Sequence, residues 1–334
     1  MSILLLEGFD DNLWTIRTGG SLVAGGVSGS YGLHGNGVRL GNTTTYNLTV
    51  GTPTVTKFTI GFALKVVDSD NTIIVKFGTV VKLEYDSASS RLKLGYQDSS
   101  FTWHYYYTTN GSVGVGDWHY VEIEILSVQS SSGTLQWWLD GTQIDDETGL
   151  TYQTAVDGSA NFGGSGTIDD FYIDDLYVVD ATGGVNDSAL GPIEVEVLLP
   201  SGNGNSSVMV GSDGNSTDNY LLVDNNATAP PATTEYVESD TEGDKDTYAM
   251  DDLDTTGTVK GMVVSMYAIK TDTGAKYLRP IVRTSSTDYA GDSKGLAESY
   301  SLHEHVWDEN PNTASAWTYG EINGMEVGQE VRDS

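Results

Sequence analysis

The chain has 334 residues with no Cys, 40 Gly, 7 Pro, 38% hydrophobic and 10% aromatic residues. That is enough apolar material for packed cores, but it excludes a disulfide scaffold and a collagen-like repeat. Its 16 Lys and Arg against 47 Asp and Glu leave a formal charge of −31, spread over both halves of the sequence, and such a surface repels the phosphate backbone of nucleic acids.

From the N-terminus, Ile3-Leu4-Leu5-Leu6 reads as a first strand buried in its own sandwich, with a strand that anchors on a neighbouring subunit as the alternative. No basic run precedes it and no small-residue cleavage site follows, so it is not read as a secretory signal. No stretch reaches the roughly 20 apolar residues of a membrane span. Period-2 alternation rich in Val, Ile, Thr, Tyr and Trp then predicts strands over 57–65, 72–77, 80–85, 91–96 and 119–126. Asp140-Gly141 marks a tight turn between two strands. A further strand is expected over 168–179, followed by a small and polar linker over 180–188.

Beyond it, Ile193-Glu194-Val195-Glu196-Val197-Leu198-Leu199 reads as a strand closed by Pro200, and 225–234 as a long loop. The one helical candidate is Lys294–Tyr300 behind Asp292 or Ser293 as cap. With about 100–200 residues per domain as the prior, the expectation is an all-β protein of two antiparallel β-sandwich domains, 1–183 and 184–334.

Residues 1–180 resemble a concanavalin A-like or laminin G-like jelly roll. The resemblance rests on Gly8-Phe9-Asp10-Asp11, Gly32-Leu33-His34-Gly35-Asn36-Gly37-Val38-Arg39-Leu40, Trp118-His119-Tyr120-Val121, Trp138-Leu139-Asp140-Gly141 and Ile168-Asp169-Asp170-Phe171. Residues 184–334 resemble a C-terminal module of tailed-bacteriophage structural proteins through Leu190-Gly191-Pro192-Ile193-Glu194-Val195-Glu196, Tyr236-Val237-Glu238-Ser239, Gly243-Asp244-Lys245-Asp246-Thr247-Tyr248, Ala268-Ile269-Lys270-Thr271-Asp272-Thr273-Gly274 and Asn310-Pro311-Asn312-Thr313 with Ala316-Trp317-Thr318. Together these resemblances imply a virion component made in the host cytoplasm, whose partners are other capsid or tail proteins and copies of itself.

Jelly-roll enzymes that cut glucans carry a Glu-x-Asp-x-Glu strand, in which alternate carboxylates share a face. Here only Glu122-Ile123-Glu124 approaches it, and a solvated strand face is the plainer reading. Oxygen ligands for Ca²⁺ could come from Asp68 and Asp70, from Asp169 and Asp170, or from Asp174 and Asp175, although adjacent residues of a regular strand point to opposite faces. His303-Glu304-His305 could present two imidazoles to zinc, against the simpler reading of surface histidines. Along Phe101–Tyr107, alternation puts Trp103, Tyr105 and Tyr107 on one face and His104 and Tyr106 on the other. Flat aromatic faces of this kind stack on sugar rings; the competing reading is a core strand between two sheets. Trp137-Trp138 must send one indole in and one out.

The functional expectation is a non-enzymatic virion structural protein displayed on the particle as a capsid or tail decoration. The alternative is a tail fibre or receptor-binding protein that recognises host-surface glycan. No cofactor is expected beyond Ca²⁺, and neither nucleic-acid binding nor membrane insertion. The absence of heptads and internal repeats in the sequence argues for a compact module over an extended shaft.

Overall fold

The structure is a computed structural model, and it describes residues 3–10, 27–29, 31–40, 48–51, 57–126, 132–155, 159–163, 171–181, 184–224 and 234–333. The chain divides into two compact units, Met1–Val195 and Glu196–Ser334. It is all β: two antiparallel β-sandwich domains, the first of jelly-roll type.

The strands of the first unit are β1 (Ile3–Glu7), β2 (Val27–Ser28), β3 (Gly37–Leu40), β4 (Leu48–Gly51), β5 (Lys57–Val66), β6 (Thr72–Phe77), β7 (Val81–Asp86), β8 (Arg91–Gln97), β9 (Trp103–Tyr107), β10 (Trp118–Leu126), β11 (Gly133–Leu139), β12 (Thr142–Leu150), β13 (Ser159–Phe162) and β14 (Phe171–Asp180). Eight of them form one sheet in the order β12-β11-β10-β5-β14-β3-β2, with β1 paired to β14. The other six form a second sheet, β4-β13-β6-β7-β8-β9.

The two sheets enclose one core, in which Phe62 of β5 meets Phe162 of β13 edge-on at 4.9 Å and Phe58 meets Phe77 at 5.9 Å. Strands β7 and β8 alternate strictly, with Val81, Leu83, Tyr85, Leu92, Leu94 and Tyr96 inward, so their other face meets water. The central strand β5 is buried almost throughout, because both of its faces are covered. Asp140 and Gly141 turn β11 into β12 at φ 51° and 73°, the left-handed geometry that a two-residue hairpin of this twist requires.

The polar run after β14 does not leave the first unit. Leu190, Gly191 and Val195 donate their amides to Tyr177, Glu122 and Asp175, so the unit extends to Val195. These bonds explain why the apolar alternation of 193–199 forms no strand: at least the Val195 amide is spent on a side chain rather than on a ladder.

The second unit opens instead with β15 (Pro200–Ser207), a Gly-Asn-Ser strand that sequence propensity reads as loop. It continues with β16 (Val210–Gly211), β17 (Val237–Glu238), β18 (Lys245–Met250), β19 (Met262–Ala268), β20 (Tyr277–Thr284), β21 (Thr287–Ala290), β22 (Lys294–Gly295), β23 (Ser301–Trp307) and β24 (Glu326–Arg332). Its main sheet runs β15-β18-β24-β20-β21, with β22 paired to β20, beside the ladders β16-β17 and β19-β23. Val264, Met266, Val282, Trp307, Trp317, Ile322 and Met325 form its core.

Lys294–Tyr300 is not a helix, because Lys294 and Gly295 pair with Leu278 and Tyr277 of β20. The α-helix among the described residues of this unit is α1 (Tyr319–Asn323), where Thr318 and Glu321 form a reciprocal capping box. Among the described residues no helix is long and apolar enough to cross a membrane. The 225–233 part of the expected long loop lies outside the described residues.

Candidate functional site

The site is built on the outward face of the six-stranded sheet. Register pairs Tyr107 with Lys93, Tyr105 with Gly95 and Trp103 with Gln97. It carries on through Gly95 opposite Lys82, Lys93 opposite Glu84, and Lys82 opposite Lys76. Trp103, Tyr105 and Tyr107 therefore share the water-facing side with Lys76, Lys82, Arg91 and Lys93. The core reading of β9 fails for these three rings. It holds for the opposite side of the strand, where Tyr106 packs against the core and His104 stacks on Tyr96 at 5.0 Å.

The three rings form a row: Trp103 and Tyr105 are stacked at 6.0 Å, and Tyr105 and Tyr107 are tilted at 6.4 Å. Tyr107 is 44% exposed, and Trp103 and Tyr105 are half-buried. The row is held from below by an absence. A Cβ on Gly95 would stand 2.6 Å from Cε1 of Tyr105, so the ring crosses β8 only because that position has no side chain. Each ring also has a cation against it: Lys82 lies 4.4 Å from the Trp103 centroid and 5.4 Å from that of Tyr105, Lys93 lies 5.3 Å from Tyr105, and Arg91 lies 4.1 Å from Tyr107. Burial draws the Lys82 pKa down, but the Tyr105 hydroxyl and the Glu84 carboxylate more than reverse this and leave it raised. The arrangement offers stacking surface flanked by fixed positive charge and hydrogen-bonding hydroxyls.

No protein-family model matches the chain, and no curated protein matches it. Among solved structures it is similar to an endo-β-1,4-glucuronan lyase from the fungus Trichoderma reesei, at 14% identity and TM-score 0.36 over 46% of this chain and 85% of that one. It is also similar to the binding domain of Paraclostridial Mosquitocidal Protein 1, at 12% identity and TM-score 0.43 over 63% of this chain and 60% of that one. A third is domain 4 of an extracellular arabinanase from Geobacillus stearothermophilus in complex with arabinotriose, at 14% identity and TM-score 0.39 over 53% and 91%. The fold assignment itself rests on the strand ladders.

The remaining sequence candidates land elsewhere. Glu122 and Glu124 do not lie on a solvated face but are 1% and 3% exposed on the far side of the eight-stranded sheet. Glu122 accepts from the Tyr177 hydroxyl and, at 2.8 Å, from the Gly191 amide. Glu124 pairs with Lys57 at 2.7 Å and accepts from Thr59 at 3.2 Å. Glu122 thus ties the sheet to the covering segment and Glu124 ties β10 to β5, each paired as buried charge requires.

Asp68 and Asp70 stand exposed on the loop between β5 and β6, while Asp169 and Asp170 lie outside the described residues. Asp174 and Asp175 are both buried at a β-bulge of β14, with Asp175 at φ 49°. Asp174 accepts the amides of Leu33, His34 and Asp175 at 2.8, 3.0 and 2.8 Å, and Asp175 holds His34 Nδ1 at 2.7 Å. Among the described residues no three His, Asp or Glu side chains converge as a metal site.

His303 and His305 on β23 are half-buried rather than solvated. His303 Nε2 lies 2.9 Å from Ser301 Oγ, and His305 packs edge-on against Trp307 at 4.3 Å. Burial lowers the pKa of both. Trp137 is buried and Trp138 half-exposed, as adjacency on a strand demands. Sequence reasoning missed Lys82, Arg91 and Lys93, whose partnership with the rings exists only once the register of β7, β8 and β9 is known.

Proposed function

We propose that this chain is a non-catalytic glycan-binding structural protein, whose first unit holds a sugar chain against the outward face of the six-stranded sheet. The observation that carries the proposal is the row Trp103, Tyr105 and Tyr107 on a solvent-facing strand. Apolar ring surface left in water forgoes about 25 cal/mol per Å² of burial. Three adjacent rings kept there by a strand glycine supply the platform on which sugar rings stack, with hydroxyl tips to bond their polar groups. Commitment of Glu122 and Glu124 to Tyr177, Gly191, Lys57 and Thr59 supports a non-catalytic role.

The resemblance of residues 184–334 to tailed-phage structural modules supports a setting on the virion surface. There the protein would be a capsid or tail decoration assembled with other virion proteins and copies of itself, its glycan face turned to the host. Two measurements test the proposal. Binding of the purified chain to host-surface polysaccharide should fall about tenfold on Trp103→Ala or Tyr105→Ala, the loss of roughly one stacked aromatic contact, without a change in thermal unfolding; undiminished binding refutes the glycan site. Gold-labelled antibody should decorate the head or tail of intact particles, and unlabelled particles refute the virion setting.

A further inference from the structure

The first unit contains eight Lys and Arg residues in all, and four of them, Lys76, Lys82, Arg91 and Lys93, stand on the aromatic face. The outward positions of β7 and β8 supply two carboxylates in return, Glu84 and Asp86. The face is locally positive in a chain whose formal charge is −31. Pairing does not explain the excess. Glu84 serves two ammonium groups, Lys82 at 3.2 Å and Lys93 at 3.6 Å, while Asp86 is taken by Arg91 at 2.9 Å. Lys76 has no ion-pair partner among the described residues.

We infer that the ligand of this face is an anionic glycan, a chain whose sugars carry carboxylate or sulfate groups, with its rings against Trp103, Tyr105 and Tyr107 and its acid groups against Lys82, Lys93 and Arg91. The inference rests on the glycan-binding proposal and narrows it to a substrate class. A polyanion is repelled by most of this protein, but at physiological salt the field is screened within about 8 Å. What the ligand meets on arrival is therefore the local charge, and this face is the place where that charge is favourable. The cations are also prepositioned. Lys82, Lys93 and Arg91 already lie against the ring faces, so part of their side-chain freedom is lost before any ligand binds. A hydrogen bond to a charged group outweighs an exposed cation–π contact. Exchanging the ring for a ligand acid group is thus downhill, whereas a neutral glycan offers the cations nothing in exchange.

The rival explanation is that the cations only brace the rings, and one set of titrations separates the two. Isothermal titration of the full chain is run with polygalacturonate, with the same polymer after carboxyl reduction, and with heparin, at low and moderate salt. At least one of the two polyanions should bind at least about tenfold more tightly than the reduced polymer, and rising salt should weaken that binding. Lys82→Gln with Lys93→Gln should cost the acidic polymer at least about fivefold, in keeping with two exposed ion pairs, and cost the reduced polymer distinctly less. Lys82→Arg with Lys93→Arg should keep the preference, and Tyr105→Ala should weaken both polymers. Equal affinity for acidic and reduced polymers, still sensitive to Tyr105→Ala, overturns the anionic assignment and spares the glycan site. No binding of any of the three polymers overturns both.

Discussion

Substituting Gly61 by Ala probes the polar layer beneath the segment that closes the first unit. Gly61 lies on β5 between Tyr177 of β14 and Glu122 of β10 in one cross-strand row. A Cβ there would stand 2.1 Å from Cε1 and 2.6 Å from Cζ of Tyr177, so the ring must move. That ring is fully buried, and its hydroxyl donates to Glu122 and accepts the Leu190 amide at 3.0 Å. Overpacking of this kind costs about 1–3 kcal/mol. Loss of the donor to a buried carboxylate adds about 1–3 kcal/mol, and the gain of Ala over Gly in a strand returns roughly 0.5–1 kcal/mol. The net expectation is a loss of about 1–5 kcal/mol, measured by urea unfolding of the full chain followed by tryptophan fluorescence. In a Tyr177→Ala background the obstructing ring is gone, so Gly61→Ala should then cost less than about 1 kcal/mol. A Gly61→Ala chain as stable as the parent, or a penalty that persists without Tyr177, refutes the reasoning.

Gly95→Ala should disturb the other face, pushing Tyr105 off β8; because that ring is half-exposed and can swing away, glycan binding should fall several-fold while stability changes by less than about 1 kcal/mol. Stability of the first unit should decline as pH rises through neutrality. Burial first, and then the neighbouring Asp175, raise the Asp174 pKa from 3.8 to about 7. The folded state therefore holds a proton that the unfolded state releases near pH 4, and the gain present at acid pH is lost as pH rises through about 7. For His34, burial works downward, but the hydrogen bond and charge of Asp175 prevail and raise its pKa, so it acts in the same direction. His303 and His305, with lowered pKa values, act the other way but in the second unit; the denaturation midpoint of the first unit should fall from pH 5 to 8, and a rise with pH refutes the assignment. Thr318→Ala removes the capping box of α1 and should cost about 0.5–2 kcal/mol in chemical denaturation. Removing residues 1–6 should not leave the fold intact, since it strips β1 from β14 and uncovers the site of Ile3 and Leu5, 0% and 8% exposed. At roughly 1.5–3 kcal/mol per buried side chain, the product should unfold well below the parent temperature, and an unchanged melting temperature would argue that β1 is dispensable.

The local periodicity of the sequence carries much of the first unit. Val81–Asp86 and Arg91–Gln97 alternate as read, and the same period separates Trp103, Tyr105 and Tyr107 from His104 and Tyr106. What periodicity cannot carry is what covers a face. Glu122 looks solvated because its strand alternates, yet Gly191, almost seventy residues away, brings its amide to the carboxylate, and Leu190 brings its own to the Tyr177 hydroxyl beside it. The Pro200–Ser207 strand escapes propensity because its place is fixed by pairing with β18 and by side chains such as Asp246, which takes the Val208 and Met209 amides. The helix that Thr318 and Glu321 cap escapes the sequence reading because it has only five residues, too few to show a 3.6-residue period.

Gly61 and Gly95 do the same thing on opposite sheets: each leaves a gap in a strand through which a tyrosine from the next strand reaches across to a charged partner, Glu122 in one case and Lys82 in the other. On the aromatic face this divides the labour of recognition. Ring position belongs to the backbone of β8, whereas the sign and strength of the charge belong to half-buried side chains of β6, β7 and β8 that lie outside the core. A lineage could therefore rewrite which polymer this surface prefers, one lysine at a time, while the scaffold that displays the rings stays the same.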